Sequence, residues 1–326
     1  MRGLTLRVVI GLVAVVLGLA IVQGIRIPAV RQMIQSAAGP TQTLAEARKN
    51  FRTQISLPSK DPGPAPTPPK ALFAKIAYRS AVGPLPAYLT PDPGDRQKHP
   101  AIVWITGGDT NSIGDVWTPQ RPENEQSASA FRKAGIVMLF PSLRGGNDNP
   151  GTEEGFYGEV DDVLAAADFL AQQPYVDPAR IYLGGHSTGG TLALLTAETS
   201  GGRFRAVFCF GPADRGTSHP TFFKDVDLAR YDHKEITLRA PGIWLASIRS
   251  PVFIIEGRNS PSNIDSLDYM MQKANGNPLI HFIPVIGATH FTVLGPGNDQ
   301  VARAILKDTG PTAQIDLSLA DLASAR

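Results

Sequence analysis

Apolar residues are arranged along this chain in two alternating patterns. Short continuous runs at Ala101 to Ile105, Ile136 to Phe140, Arg180 to Leu183, Arg205 to Phe210, Pro251 to Glu256 and Leu279 to Val285 each have the length of one buried strand. Between them, Glu123 to Ala134, Val160 to Leu170, Thr191 to Ala197, Asn263 to Ala274 and Gln300 to Leu306 read as helices, with Asn263 as N-cap of the fourth. Strands apolar on both faces, alternating with helices, predict a parallel sheet covered on both sides, an α/β fold. A hairpin, Leu72 to Tyr78 and Leu85 to Leu89 joined through Val82-Gly-Pro84, leads into this region. Val160, Val163, Leu164, Ala167 and Leu170 fall on one helical face, which leaves Asp161, Asp162 and Asp168 to a solvated face and to the helix start. Thr217 to Ser247 has weaker periodicity and predicts a small helical cap.

The ends of the chain differ in character. Val8 to Val22 is uninterrupted apolar residue or Gly, preceded by Arg2 and Arg7. As a helix it reaches about 22 Å, short of the roughly 30 Å hydrocarbon core, but Arg7 and Arg26 lie about 28 Å apart and can snorkel to opposite interfaces. An uncleaved N-terminal membrane anchor over residues 1–26 is preferred to a signal peptide cleaved near Gly18-x-Ala20; both place the remainder outside the cytoplasm, in periplasmic or extracellular space. Residues 27–70 read as a helical and proline-rich linker, because Pro58 to Pro69 supports neither helix nor central strand. Residues 71–310 form the globular domain and 311–326 a tail.

Composition narrows the function. A net charge of +2, with no basic stripe interleaved with aromatics, gives no case for nucleic acid. The single cysteine, Cys209, excludes an intrachain disulfide and a cysteine-based zinc site, and its apolar neighbours make it a buried small hydrophobe.

The chemistry gathers at Gly185-x-Ser187-x-Gly189, between a strand and a helix of small residues. Strand, sharp turn and helix together make a nucleophile elbow, in which glycines at −2 and +2 let the two backbones approach and expose the serine Oγ. A serine hydroxyl needs an imidazole to take its proton. His290 follows the last strand, where a sheet of this order returns it to the mouth; His186, His281, His99, His219 and His233 are placed less well. Thr188, after the nucleophile, offers an N–H to an oxyanion, and Gly107 or Gly108 after the Ala101 to Ile105 strand offers a second.

Taken together, Ile105-Thr-Gly-Gly108, Pro141-Ser-Leu-Arg-Gly-Gly146, Gly158-Glu-Val-Asp-Asp-Val163, Gln173-Pro-Tyr-Val-Asp-Pro-Ala-Arg-Ile181, Gly184-Gly-His-Ser-Thr-Gly-Gly190 and Gly287-Ala-Thr-His290-Phe resemble the catalytic domain of prolyl oligopeptidase-like and dienelactone hydrolase-like α/β hydrolases. The resemblance spans roughly residues 72–307. It implies an α/β-hydrolase fold with an eight-stranded, mostly parallel sheet, hydrolysis through an acyl-enzyme, and no metal or organic cofactor. Ser187 and His290 take the nucleophile and base positions; Gly108 and Thr188 take the oxyanion hole.

The chain departs from that pattern at two places. Thr106 stands where the family usually has a histidine before the oxyanion glycines. The family's acid stands three residues after the glycine ending the seventh strand; counted from Gly257 that position is Ser260. Glu256 on the same strand is the first substitute for the acid, Asp214 the alternative and Asp265 a third, unless no acid acts. The expected function is therefore a membrane-tethered serine hydrolase of a small-molecule or peptide substrate. Esters are favoured over peptides because the residues before the core are too few and too proline-rich for a peptide-filtering propeller. A catalytically weak, membrane-tethered binding module is the rival.

Overall fold

The computed structural model describes residues 40–317, so the expected anchor over residues 1–26 and most of the tail lie outside the described residues. Among the described residues no helix is long and apolar enough to cross a membrane. The chain divides into two units between Thr41 and Gln42, and every strand of the sheet belongs to the unit beginning at Gln42.

Eight strands, β1 (Ala74–Ser80), β2 (Gly83–Leu89), β3 (His99–Ile105), β4 (Val137–Pro141), β5 (Val176–His186), β6 (Val207–Phe210), β7 (Val252–Asn259) and β8 (Ile280–Thr289), form one sheet. Its order is β1-β2-β4-β3-β5-β6-β7-β8; β1, β2 and β4 pair antiparallel and every later pair is parallel. The chain therefore has the α/β-hydrolase fold. The pleat separates the side chains of β3 into two cores, as a period of two requires: Ala101, Val103 and Ile105 pack into one, Ile102 and Trp104 into the other.

Nine helices accompany the strands among the described residues: α1 (Leu44–Arg48), α2 (Ser129–Lys133), α3 (Glu159–Ala171), α4 (Thr188–Thr199), α5 (Pro220–Phe223), α6 (His233–Thr237), α7 (Pro241–Trp244), α8 (Ile264–Lys273) and α9 (Leu294–Lys307). The central α4 is buried on nearly every side and carries almost only small and apolar residues. Helices α5, α6 and α7 make up the cap that weak periodicity foreshadows.

The structure departs from the pattern at several points, each for a local reason. The helix expected over Glu123 to Ala134 shrinks to α2, because Ala128 adopts a left-handed φ of 46° and Pro122 opens a separate 3₁₀ turn. Asp162 is fully buried, not solvated: its carboxylate takes Arg144 Nε at 2.8 Å and Nη2 at 2.9 Å. Asn263 stands at the N-cap of α8 as expected, but its side chain makes no capping bond; its Nδ2 donates to the Gly211 carbonyl at 2.8 Å, and the Ser262 hydroxyl takes the Ile264 N–H at 3.0 Å.

Residues 42–70, which composition assigns to a linker, are packed on the domain. The Thr43–Glu46 capping box starts α1, and Leu44, Ile55 and Leu57 join the core. Thr53 donates to Glu235, and Arg239 of the same network donates to Thr53 Oγ1 at 2.7 Å. Leu57 bridges to Glu153, and the proline-rich stretch is fastened through the Pro66 carbonyl, which takes the Tyr88 hydroxyl at 2.7 Å. The prolines do forbid helix and ladder, but a chain fixed in extended form loses little further entropy when it lies down on a surface.

One buried carboxyl group has no hydrogen-bond partner at either oxygen. Glu198 in α4 is fully enclosed with neither carboxyl oxygen hydrogen-bonded, and burial raises its pKa well above the ordinary glutamate value. The folded state thus holds this group protonated while the unfolded state ionises it. Its contribution to stability is complete below the unfolded pKa and lost as pH rises through the folded one. Thermal unfolding of Glu198→Gln, compared with the parent between pH 5 and pH 8, is expected to show a stability difference that shifts toward the variant by up to about 1.4 kcal/mol per pH unit. A difference independent of pH excludes this protonation state.

Candidate active site

Ser187 stands between β5 and α4 with φ 56° and ψ −115°, a conformation that a non-glycine residue adopts only under constraint. Its N–H donates to the Phe210 carbonyl at 2.7 Å, and its carbonyl takes the Thr191 N–H at 2.9 Å and hydroxyl at 3.0 Å. The flanking glycines are dictated by close approach. A Cβ on Gly185 would lie 2.5 Å from the Gly189 carbonyl oxygen, and one on Gly189 would lie 2.3 Å from that of Ile105. The strain at Ser187 is therefore held by backbone packed against backbone.

His290 follows the last residue of β8, its N–H donating to the Pro261 carbonyl at 2.8 Å. Nδ1 donates to Glu256 Oε2 at 2.9 Å; the imidazole side chain is 9% exposed and the carboxylate wholly buried. This bond fixes the proton on Nδ1 and leaves Nε2 as an acceptor. Glu256 is further held by the Ser262 hydroxyl, which donates to Oε1 at 3.1 Å. Gly211 lies beneath the pair with φ 57°; any Cβ there would fall 2.4 Å from Glu256 Oε2 and from His290 Cε1. Among the described residues no hydrogen bond closes between Ser187 and His290. Such a bond is often long in a resting hydrolase and tightens as substrate arrives.

The structure brings Glu256, and not the alternatives, to the imidazole. Asp214 accepts from Ser266 Oγ at 2.8 Å and pairs with Arg215 at 3.2 Å, so its carboxylate is engaged elsewhere. Asp265 is exposed in the first turn of α8, and Ser260 is exposed. The reason lies in β7, which continues as strand to Asn259 and carries residue 260 out to solvent. A glutamate earlier on the strand spans the gap with its extra methylene.

Two N–H groups remain for an oxyanion. Thr188 opens α4, so its N–H is among those without an intrahelical partner. In the β3 loop the Gly107 N–H is taken by Gln126 Oε1 at 3.2 Å, which leaves Gly108 as the donor. Thr188 Oγ1 donates to the Gly108 carbonyl at 2.9 Å and ties the two segments together. His219 reaches in from the cap to Thr191 Oγ1 at 2.8 Å; burial, then the His290 charge, pushes its pKa down to about 4. His99, His233 and His281 are held elsewhere, by Asp95, by Thr237 and against the Phe253 ring. A cleft of about 560 Å³ lies between residues 56–60 and the cap, lined by Leu57, Lys60, Phe222 and Tyr231, and Ser187 is not part of it.

Comparison with known proteins agrees with this architecture. Residues 122–223, a span that includes Ser187 but neither His290 nor Glu256, match the model of the prolyl oligopeptidase family. The chain is similar to the uncharacterized peptidase YtmA of Bacillus subtilis, 27% identical over 199 residues that cover 57% of this chain and 72% of that protein. It is 30% identical to dipeptidyl-peptidase 5 of Porphyromonas gingivalis over 124 residues, which are 36% of this chain and only 17% of that protein. Among solved structures, a Mycobacterium tuberculosis puromycin-hydrolyzing peptidase superposes with a TM-score of 0.59 at 20% identity, covering 76% of this chain and 41% of that one. A hyperthermophilic esterase from Pyrobaculum calidifontis superposes with a TM-score of 0.53 at 19% identity, covering 81% and 88%.

Glu256→Gln keeps the shape and removes the charge that stabilises a protonated His290. Its kcat is expected to fall on the order of 10⁴-fold, about 5.5 kcal/mol, with little change in melting temperature. Steady-state kinetics within tenfold of the parent exclude Glu256 as the orienting acid.

Proposed function

We propose that this chain, a serine hydrolase on the α/β-hydrolase fold, cleaves small peptide-like amides, and esters of the same acyl groups, with Ser187 as nucleophile, His290 as base and Glu256 as acid. The observation that carries the reading is the 2.9 Å contact between buried Glu256 and His290 beside a strained serine elbow. In the proposed reaction Ser187 Oγ attacks the carbonyl carbon while its proton passes to His290 Nε2, and the imidazolium is stabilised by the Glu256 charge. The N–H groups of Gly108 and Thr188 take the oxyanion, each worth roughly 3 to 4 kcal/mol in such a site. His290 then protonates the leaving nitrogen or oxygen, and water attacks the acyl-enzyme by the same proton route in reverse.

Amides enter the proposal through the similar proteins, three of which, from Bacillus, Porphyromonas and Mycobacterium, bear the name peptidase. Esters enter because they are the easier bond and because an esterase shares the fold. Small substrates are proposed because the cap reaches the elbow, with His219 bonded to the residue that holds the Ser187 carbonyl. The binding-module alternative has no observation in its favour, since the imidazole has its carboxylate. Attachment to a membrane outside the cytoplasm is proposed from the Arg-flanked run Val8 to Val22 alone.

A fluorophosphonate probe, together with a p-nitroanilide and a p-nitrophenyl ester of one acyl group, tests the reading. The parent is expected to be labelled and to hydrolyse both, and Ser187→Ala to lose label and both activities. A labelled or active Ser187→Ala overturns it; turnover of the ester without the anilide restricts it to esters.

A further inference from the structure

His186 looks at first like a histidine spent on packing. It is fully buried inside the elbow, its ring centroid 4.4 Å from that of His290. Its two nitrogens, however, meet partners that belong to the two halves of the site. Nε2 lies 3.0 Å from the His290 carbonyl oxygen, which only accepts, so Nε2 bears the proton. Burial foremost, then the nearby His290 charge, pushes its pKa down to about 3, so the ring is neutral and Nδ1 is an acceptor.

The acceptor state of Nδ1 fixes the orientation of Gln126. Both amide atoms lie near Nδ1, Nε2 at 2.8 Å and Oε1 at 3.1 Å; because Nδ1 accepts, Nε2 is its donor, also donating to Asn124 Oδ1 at 2.8 Å, and Oε1 takes the Gly107 N–H at 3.2 Å. The hydrogen bonds run in one direction, from Gly107 N–H to Gln126, from Gln126 to His186 and from His186 to the His290 carbonyl. The loop is also seated against the ring itself, since a Cβ on Gly107 would come within 2.9 Å of His186 Nδ1. A neutral ring is required, because a proton on Nδ1 would turn Gln126 over and cost Gly107 its acceptor.

We infer that His186 and Gln126 are positioning residues that lock the base-bearing turn and the oxyanion loop in register, so that Nε2 of His290 and the N–H of Gly108 are held at fixed separation about the reacting carbonyl. This rests on the acyl-transfer reading above. Taking the Gly107 N–H also removes a competing donor and leaves the next peptide to face the oxyanion. Preorganised donors matter in the transition state more than in binding, so loss of the link acts on kcat.

The test uses the full chain carrying Gln126→Met, a change in a partly exposed loop, and His186→Phe, which keeps a ring and removes both bonds. Each is expected to lower kcat about 10- to 100-fold while KM stays within about threefold, and affinity for a boronic acid that forms a tetrahedral adduct to fall by the same factor as kcat/KM. The double variant is expected to be no worse than the weaker single variant by more than about threefold, because the two residues form one chain. If Gln126→Met has kcat within twofold of the parent, or if the two effects multiply, the inference fails. An unlabelled, inactive parent or an active Ser187→Ala would instead sink the underlying reading, so the two failures are distinguishable.

Discussion

Everything at this site depends on backbone approaching backbone where no side chain fits. The Gly189 peptide lies so near the Ile105 carbonyl that even a methyl group is excluded, and Gly185 is pressed against Gly189 in the same way. That contact holds Ser187 at a φ it would otherwise leave, and the cost of order 1–3 kcal/mol is offset by the burial of α4 on all sides. The reactive hydroxyl is thus a product of the core. Strands β3, β5 and β6 must be in register before the turn can exist, since the Ser187 N–H is anchored on β6 through Phe210.

The second layer is electrostatic. A carboxylate with no solvent exposure is tolerated only when it is bonded, and Glu256 finds both His290 and Ser262. Beneath it, Gly211 supplies the room. The contrast with Glu198 is instructive: two glutamates equally enclosed, one engaged through both oxygens, the other bonded through neither.

Much of this was legible in the residues. The strand runs and the order of elements mark the sheet, and the Gly-x-Ser-x-Gly spacing and a late histidine mark the two turns that meet at the candidate site, because these signals are local and periodic. Glu256 stood first among the candidate acids for its place on the strand, but whether it, Asp214 or Asp265 approached His290 was undecided, since that depends on how far β7 runs before it turns. His186 lies inside the elbow and Gln126 in a stretch with helical spacing, where no motif gives either a role, and their link joins positions 60 residues apart. The burial of Asp162 has no local signal for the same reason, as its partner Arg144 lies on another loop. Proline content described residues 58–69 correctly as non-helical but could not say that they lie on the domain, because composition reports conformation and not contact.

Carrying the carboxylate on a strand changes what the neighbouring loop is free to do. In β7 Glu256 is paired with Pro284 of β8, and the turn that comes after braces the site twice, through the Ser262 hydroxyl on Glu256 Oε1 and the Pro261 carbonyl on the His290 N–H. Among the described residues the exposed side chains of Arg258, Asn259 and Ser260 make no hydrogen bond to Glu256 or His290; Arg258 pairs with Asp268 at 3.5 Å, and Asn259 is in register with Thr289. The loop thus serves the pair through its backbone and through Ser262, and not through position 260, where the resembled pattern places its acid.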